Sequence, residues 1–342
     1  MAGAIFSSVE AGIIYAIMAL GVYLSFRILD FPDLTVDGSF VTGAATAAIL
    51  IFNGHDPLLA TIIAIFAGFL AGVCTGLLHT KGKINPLLSG ILMMIALYSI
   101  NLRIMDRPNV SLLTQETLIT KIQNAWSELG LSDAMGSLLA AIGLDGVLPT
   151  SWGILLVMCI VTLGIKLLID AFLKTEVGLA LRATGDNEGM VQSFSANTNS
   201  MKVLGLGISN ALVALSGALV AQYNGSSDVG MGIGMIVIGL ASVIIGEAVF
   251  GAKTIIRATF AVIGGAIIYR IIITLAMQVK FLETGDMKLI TAIIVIIALI
   301  LPKMLDKQKE KRRKQKRLRD LHIQNEQVIS TGGEGLATAK AD

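Results

Sequence analysis

The sequence predicts an all-α protein, a polytopic membrane bundle of about nine transmembrane helices within a range of eight to ten. Composition is the first observation: 54% of the 342 residues are hydrophobic, only 15% are charged, and the mean hydropathy is +0.79. So few polar residues cannot cover a soluble globule of this size. The second observation is a series of long apolar segments, and the third is a pair of glycine-rich interruptions that predict broken helices.

Nine segments have the roughly 20 apolar residues that a helix needs to cross a hydrocarbon core of about 30 Å. They lie near residues 3–26, 34–52, 57–79, 85–105, 150–173, 200–222, 229–250, 254–277 and 287–302. The second begins irregularly and the seventh is compatible with a re-entrant segment. Residues 1–302 are therefore predicted to form a membrane domain, and 303–342 a tail whose last residues, 331–342, are predicted to be disordered.

The distribution of basic residues predicts the orientation of the bundle in the membrane. Ten of the 26 Lys and Arg residues lie between Lys303 and Arg319, next to the last span. If this tail is cytoplasmic, nine crossings place most other basic residues inside as well, in agreement with the positive-inside rule. These residues are Arg27, Lys81, Lys83, Lys174, Arg182, Lys202, Lys253 and Arg257. The N-terminus is then predicted to lie outside and the C-terminus inside the cell membrane.

The segment from residue 106 to 149 is the long external connection. Residues around Trp126 and between Met135 and Ile142 have the pattern of short amphipathic helices on the outer rim. Such helices could receive an external partner, or form a lid that packs on the bundle itself.

Two polar interruptions occur within the apolar spans. The first, Ile28–Gly43, contains Pro32, which disfavours helix at the preceding residue, and three acidic residues. The second, Gly230–Glu247, has closely spaced glycines where a span should begin. One break in each half of the chain indicates a transport pathway between two repeats. The alternative is structural, with Asp30 and Asp33 in the headgroup region and the glycines allowing close packing.

Other polar or small residues inside the spans carry more limited predictions. Arg270 lies near the middle of a span and needs a partner, for which Glu247 and Glu10 are the candidates by depth. Lys166 is close enough to the end of its helix to extend to the interface. Gly68, Gly72 and Gly76 form overlapping GxxxG units that predict a helix-packing face.

Several functional classes are excluded or disfavoured by the residues. Cys74 and Cys159 lie in apolar spans without metal-ligand spacing, and no metal site or cofactor is predicted. Gly246–Thr254 resembles a phosphate-binding loop, but Ala252 breaks its spacing and an apolar span precedes it. No catalytic constellation is present, so an enzyme is disfavoured. The basic tail is predicted to contact anionic lipid, and no folded module predicts binding of nucleic acid.

The loop 174–199 is the largest internal connection between spans. Glu176–Ala183 can form a short helix with small and apolar contacts, ended by Gly185, Asp186 and Asn187. A partly apolar helix exposed at the membrane surface suits a groove on a soluble partner. It would transmit force rather than bind solute.

At this point a family resemblance becomes specific. Thr175–Asn187 and Met201–Leu219 closely resemble the coupling-loop region of permeases in the branched-chain amino acid and monosaccharide ABC importer superfamily. Leu29–Gly43 resembles its broken-helix signature and Gly239–Glu247 its glycine-rich element. The resemblance covers about residues 8–302. It points towards a subgroup with suspected aromatic or other amino acid substrates, and it leaves the transported solute open.

The resemblance implies a type II ABC importer permease fold and a set of partners. These are a second permease subunit, most simply an identical one, two ATP-binding cassette ATPase subunits, an external solute-binding lipoprotein and the lipid membrane. The residues implied to seat on the ATPases are Glu176, Gly178, Leu179, Ala180, Leu181, Arg182, Ala183, Gly185 and Asn187. Those implied to lie nearest the translocation pathway are Asp37, Gly38, Ser39, Gly239, Ser242 and Gly246. The alternative function is an ion-coupled secondary transporter or channel that uses Asp33, Asp37 and Glu247.

Overall fold

The computed structural model describes residues 2–130, 152–194 and 197–277, together with Leu289, Ala292, Ile293 and Ile296. Backbone contacts group Met1–Val295 into one unit and Ile296–Asp342 into another, and all the elements named below belong to the first.

Helices dominate the described residues, and two short strands join them. In chain order the elements are α1 (Ala2–Val22, continued by a π-helix, Tyr23–Ile28), α2 (Thr35–Phe52), α3 (Pro57–Thr80), α4 (Pro86–Met105), β1 (Asn109–Ser111), α5 (Leu118–Glu128), α6 (Gly153–Phe172), α7 (Glu176–Asp186), α8 (Glu188–Ser193), α9 (Thr198–Asn224), β2 (Ser226–Asp228), a 3₁₀ turn (Val229–Gly232), α10 (Met235–Phe250) and α11 (Ile255–Met277).

Eight helical segments within the described residues are long and apolar enough to cross a membrane. They correspond to α1 with its π-helical extension, α2, α3, α4, α6, α9, α10 with the turn before it, and α11. This result confirms the predicted polytopic helical bundle and its first eight spans. The predicted span 287–302 and the tail 303–342 lie outside the described residues, apart from the four isolated positions.

Local sequence signals set the beginnings of α3 and α4. Asp56 and Asn85 each precede a proline, and each uses its side-chain oxygen to cap the new helix. Asp56 Oδ1 accepts a hydrogen bond from the Leu58 backbone N–H at 2.8 Å, and Asn85 Oδ1 accepts one from Leu87 at 3.0 Å. Proline is well placed at a first helical position, where no N–H is needed.

The core lies around α1, which is buried on nearly all sides. Ile14, Ile17, Met18 and Leu20 are each 0% exposed. α1 packs against α9, α11 and α10, while α9 also packs along α2 and α3. An apolar helix that is buried all round occupies the interior of a bundle rather than its lipid surface.

Glycines bring α3 and α9 into close contact. A Cβ atom at Gly72 would lie 2.2 Å from the Leu206 carbonyl oxygen, and one at Gly68 would lie 2.6 Å from that of Asn210. Gly76 similarly faces Val203. The overlapping GxxxG units therefore form the predicted packing face, and the close backbone approach requires residues without a side chain.

We expect Gly72→Val to destabilise the bundle by about 1–3 kcal/mol, because the added side chain must displace the backbone of α9. Gly164→Val in α6 is the matched control, since no described atom lies within 4 Å of a Cβ built there. Both changes place a β-branched residue in a membrane helix. Thermal unfolding of the two variants in mild detergent separates the loss of α3–α9 packing from the effect of the β-branched residue itself. Equal losses of stability in the two variants would contradict the packing role of Gly72.

A small structured region covers one end of the bundle. β1 and β2 pair antiparallel with Asn109 opposite Asp228, and α5 packs near α6. Lys121 Nζ of α5 reaches Asp56 Oδ2 at 2.7 Å. α5 includes Trp126, as the amphipathic pattern predicts, whereas the strand was not predicted; the second predicted helix, Met135–Ile142, lies outside the described residues.

Candidate functional site

The first break, Leu29–Leu34, separates the π-helical end of α1 from α2. Asp30 adopts a left-handed backbone conformation with φ of 52°, and Pro32 prevents the helix from continuing. Asp33 is 0% exposed, and its carboxylate accepts hydrogen bonds from the Thr35 backbone N–H and from Asn210 Nδ2 of α9, at 2.9 and 2.7 Å. The Asp33 carboxylate is therefore enclosed by protein, and it ties the break to α9.

The second break precedes α10. The chain leaves β2, makes the 3₁₀ turn and reaches Gly234, whose φ of +89° favours glycine. Asp37 of α2 then caps the start of α10: its Oδ2 accepts a hydrogen bond from Gly234 N–H at 2.9 Å and its Oδ1 one from Ile236 N–H at 2.7 Å. A carboxylate is a favourable partner for the free N–H groups and positive dipole of a helix N-terminus. The two predicted interruptions therefore meet at Asp37.

A cavity of about 390 Å³ lies where these two breaks meet α4. Its lining includes Asp37 and Gly38 from α2, Ile95, Tyr98 and Asn101 from α4, and Gly232 from the turn. The Gly38 carbonyl accepts hydrogen bonds from Asn101 Nδ2 at 3.1 Å and from Thr42 Oγ1 at 3.0 Å. Small concave sites of this volume, with apolar walls and a few polar groups, are typical of small-molecule binding.

The other predicted pathway residues lie in helix contacts. Ser39 is 0% exposed, and Ser242 donates its hydroxyl hydrogen to the Ile238 carbonyl within its own helix. Gly239 packs against Val22 of α1, and Gly246 faces the Ala261 carbonyl of α11. Asp37 and Gly38 thus line the cavity, while Gly239 and Gly246 pack α10 against α1 and α11.

The three carboxylates proposed for ion coupling have separate partners. Asp33 binds Asn210, Asp37 caps α10, and Glu247 Oε1 accepts a hydrogen bond from Arg27 Nε at 3.0 Å. Within the described parts of the chain, no group of three or more His, Cys, Asp or Glu side chains could hold a metal ion.

The partners suggested for Arg270 and the position suggested for Lys166 need correction. Arg270 places its guanidinium 4.3 Å from the centre of the Tyr15 ring, while Glu10 accepts a hydrogen bond from the Tyr223 hydroxyl at 3.2 Å. A cation over an aromatic face is stabilised by the ring quadrupole. Lys166 does not extend to the interface: it is 6% exposed and forms an ion pair with Asp170 on the same helix.

The short helix α7 is held on the bundle by its inward side. Thr175 caps it, with its Oγ1 accepting a hydrogen bond from Gly178 N–H at 3.2 Å. Leu181 is 0% exposed, and Gly178 packs against the end of α6. A Cβ at Gly185 would lie 2.1 Å from the Ile28 carbonyl, so α7 sits directly on the first break. Gly178, Leu181 and Gly185 therefore pack against other parts of the same subunit.

The outward side of α7 and the segment after it expose apolar side chains beyond the spans. Val177 is 40% exposed, Leu179 51%, and Phe194 78%. Glu176 and Asn187 are also exposed, and Ala180, Arg182 and Ala183 are partly exposed. Exposed apolar residues outside the membrane-spanning segments, rimmed by polar ones, mark an interaction surface.

Two grooves flank Arg182 on this side of the bundle. One of about 670 Å³ lies between α7 and the end of the first span, and is lined by Arg27, Asp30, Leu179, Arg182 and Asp186 among others. The other, of about 480 Å³, lies between Arg182, Glu247 and the turn before α11. We name the surface formed by Val177, Leu179, Arg182 and the larger groove the α7 surface.

α8 is fixed next to this surface by polar contacts. Asn187 Oδ1 accepts a hydrogen bond from Met190 N–H at 3.0 Å, and Lys202 Nζ lies 2.7 Å from Glu188 Oε1. The hydrogen bond from Lys202 holds the pKa of the Glu188 carboxyl below its usual range. Asn187 thus ends α7, as the sequence predicts, and its side chain caps the start of α8.

Some residues of the site were not singled out from the sequence. Asn101 and Tyr98 lie in an apolar span, where an amide side chain is itself an unusual residue and could have drawn notice. Asp170 lies four positions after Lys166, a spacing that places the two side chains on one helix face.

Comparison with known proteins gives a consistent result. The family model described as the permease component of branched-chain amino acid transport systems matches residues 4–300. The chain is 44% identical over 292 residues to the tyrosine transport system permease protein of Clostridioides difficile, covering 85% of this chain and 89% of that one. It is 26% identical over 255 residues to a ribose import permease protein of Haemophilus influenzae, covering 74% and 71%.

A third relative is the probable branched-chain amino acid transport permease protein of Methanocaldococcus jannaschii, 28% identical over 222 residues, which covers 62% of this chain and 64% of that one. No solved structure matches the chain.

Proposed function

The chain belongs to the family of branched-chain amino acid transport system permease components, and on that premise we propose that it is the membrane subunit of an ATP-binding cassette importer for an amino acid. Two permease subunits, most simply two copies of this chain, would form the pathway. Two separate ATPase subunits would supply the energy, and an external lipoprotein would deliver the solute. The family match over residues 4–300 is the observation that carries this proposal.

An amino acid is the proposed solute because of the relatives. One with 44% identity is named for tyrosine transport, and another is named for branched-chain amino acids. A cavity of about 390 Å³ with apolar walls is compatible with either class.

We place the ATPases on the α7 surface. The exposed residues Val177 and Leu179 supply apolar contacts, and Arg182 supplies a charge at the edge of both grooves. Glu176, Ala180, Ala183 and Asn187 are the other members of the predicted set that are wholly or partly exposed. Gly178, Leu181 and Gly185 would act from the inside, by fixing α7 to α6 and to the first break. Movement of α7 would then reach the break directly.

Placing the ATPases on the α7 surface also gives the proposed orientation of the bundle in the membrane. The α7 surface, the Lys81–Lys83 turn and the turn before α11 would face the cytoplasm, with the N-terminus outside. The basic residues assigned to that side outnumber those on the other side, as the positive-inside rule requires.

The first experiment is reconstitution of the chain with its candidate ATPase and lipoprotein in proteoliposomes. We expect the ATPase to co-purify in fixed ratio, and the loaded lipoprotein to stimulate ATP hydrolysis and uptake of labelled L-tyrosine or L-leucine. A chain that purifies alone and moves either amino acid under an ion gradient without ATP would contradict the proposal and favour the secondary transporter.

Arg182→Glu is expected to reduce uptake about tenfold or more and to weaken co-purification of the ATPase, because it reverses the charge at the centre of the α7 surface. Lys83→Glu is the matched control: it makes the same reversal at an exposed position in another turn of the proposed cytoplasmic side. Its uptake should stay near that of the natural chain. Equal uptake by both variants would remove Arg182 from the proposed interface.

A further inference from the structure

The cavity at the meeting point of the two breaks contains an unusual polar group. Asn101 lines the cavity and is only 1% exposed. Its Nδ2 donates to the Gly38 carbonyl at 3.1 Å, whereas its Oδ1 has no hydrogen-bond partner among the described residues. A buried acceptor without a partner is costly, and in native structures it calls for an explanation such as a ligand.

The charge around this cavity favours one kind of ligand group. Asp37 is the only charged side chain among the described residues that line it, and its two oxygens already accept N–H groups from the start of α10. Ser99 and Tyr98 add hydroxyl groups nearby. A protonated amine can donate to Asn101 Oδ1 and is attracted by the Asp37 charge, while the hydroxyl groups of Ser99 and Tyr98 are the side-chain donors that a carboxylate could use.

The remaining walls favour an apolar body. Val41, Met94, Ile95 and Ile233 line the cavity together with the Tyr98 ring. Methionine and aromatic side chains adapt well to flat or branched apolar groups. The position also suits a transported solute, because broken helices commonly meet at the binding site of a membrane transporter.

We propose that this cavity is a binding site for the transported amino acid, in which Asn101 Oδ1 accepts a hydrogen bond from the α-ammonium group and the apolar or aromatic side chain packs against Met94, Ile95 and Tyr98. The assignment rests on the proposed import function. It adds the residue that recognises the amino group and the wall that selects a large apolar side chain.

Protection of an introduced thiol tests this site directly. In the assembled transporter, Cys74 and Cys159 are replaced by alanine and Ser99, an exposed residue of the lining, by cysteine. The rate of alkylation by N-ethylmaleimide is then measured with L-tyrosine, L-leucine and their analogues that lack the amino group. We expect an amino acid to protect at about tenfold lower concentration than its own analogue, because the hydrogen bond to a charged amine is lost in the analogue.

Adding Asn101→Ala should bring the amino acid and its analogue to the same protecting concentration. Absence of protection by both amino acids, or an unchanged preference for the amine in Asn101→Ala, would overturn the proposal. Because alkylation requires no ATP hydrolysis, this result is independent of the test of the import function.

A second pair of variants guards against misfolding of Asn101→Ala. Ile95→Trp should fill the cavity and reduce uptake about tenfold, since a bulky side chain clashes with a bound solute. Leu92→Trp places the same residue almost one turn earlier on the exposed side of α4, outside the lining, and should leave uptake near normal. Both complexes should retain lipoprotein-stimulated ATP hydrolysis, and equal uptake by the two variants would then contradict the site. Absence of that stimulation with the unsubstituted chain would instead refute the import function.

Discussion

Asp170→Ala is expected to destabilise the bundle by about 3–5 kcal/mol, among the largest effects of any single replacement, because it leaves the Lys166 ammonium buried without its partner. The Lys166 and Asp170 side chains are only 8% and 7% exposed. Thr259 of α11 donates its hydroxyl hydrogen to the second Asp170 oxygen at 2.8 Å, so the same carboxylate also connects α6 to α11. Its loss therefore breaks an ion pair and an interhelical hydrogen bond together.

The measurement is thermal unfolding in mild detergent, with two comparison variants. Leu168→Ala removes an apolar side chain that is 71% exposed on the same helix, and should have a much smaller effect. The double replacement Lys166→Met with Asp170→Leu removes both charges and should recover most of the lost stability, since an apolar pair of similar size avoids desolvation. An Asp170→Ala chain as stable as Leu168→Ala would refute the role of the pair.

The bundle itself could be predicted from the sequence because span length and hydropathy depend on short stretches of chain. The eight spans found within the described residues follow the predicted segments closely, and the breaks coincide with Pro32 and with the glycines before α10. Proline and glycine act on their own backbone, so their effect is visible without knowledge of the fold.

Contacts between helices could not be predicted in the same way. Glu10 and Glu247 were chosen as partners for Arg270 by their depth in the membrane. Depth does not determine the direction in which a side chain points from its helix. Rotation of the helices instead brings Glu247 to Arg27 and Arg270 to the Tyr15 ring. The cavity could not be predicted for the same reason. Asn101 and Asp37 are 64 positions apart, and only the packing of α2 against α4 places both in the lining of one cavity.

Asp37→Ala is expected to abolish most uptake, because the carboxylate joins the two breaks on which the cavity depends. Both oxygens accept backbone N–H groups at the start of α10, and removal leaves two donors unsatisfied at a cost of about 1–3 kcal/mol for each. Without its cap, the start of α10 loses its fixed position beside Gly38 and Asn101. The capping contacts therefore predict a measurable loss of stability together with the loss of uptake.

The variant Asp37→Asn separates the effect of the capping hydrogen bonds from the effect of the negative charge. Asparagine keeps one acceptor oxygen but introduces an amide donor that faces the other N–H group, so it should retain only part of the stability. Uptake and thermal unfolding should therefore rank in the order Asp, Asn and Ala at this position. If Asn and Ala both leave stability unchanged while uptake falls, Asp37 acts on the solute alone. If Ala leaves both unchanged, the connection between the breaks does not depend on this carboxylate, and α10 must be held in place by its packing through Gly239 and Gly246 against α1 and α11.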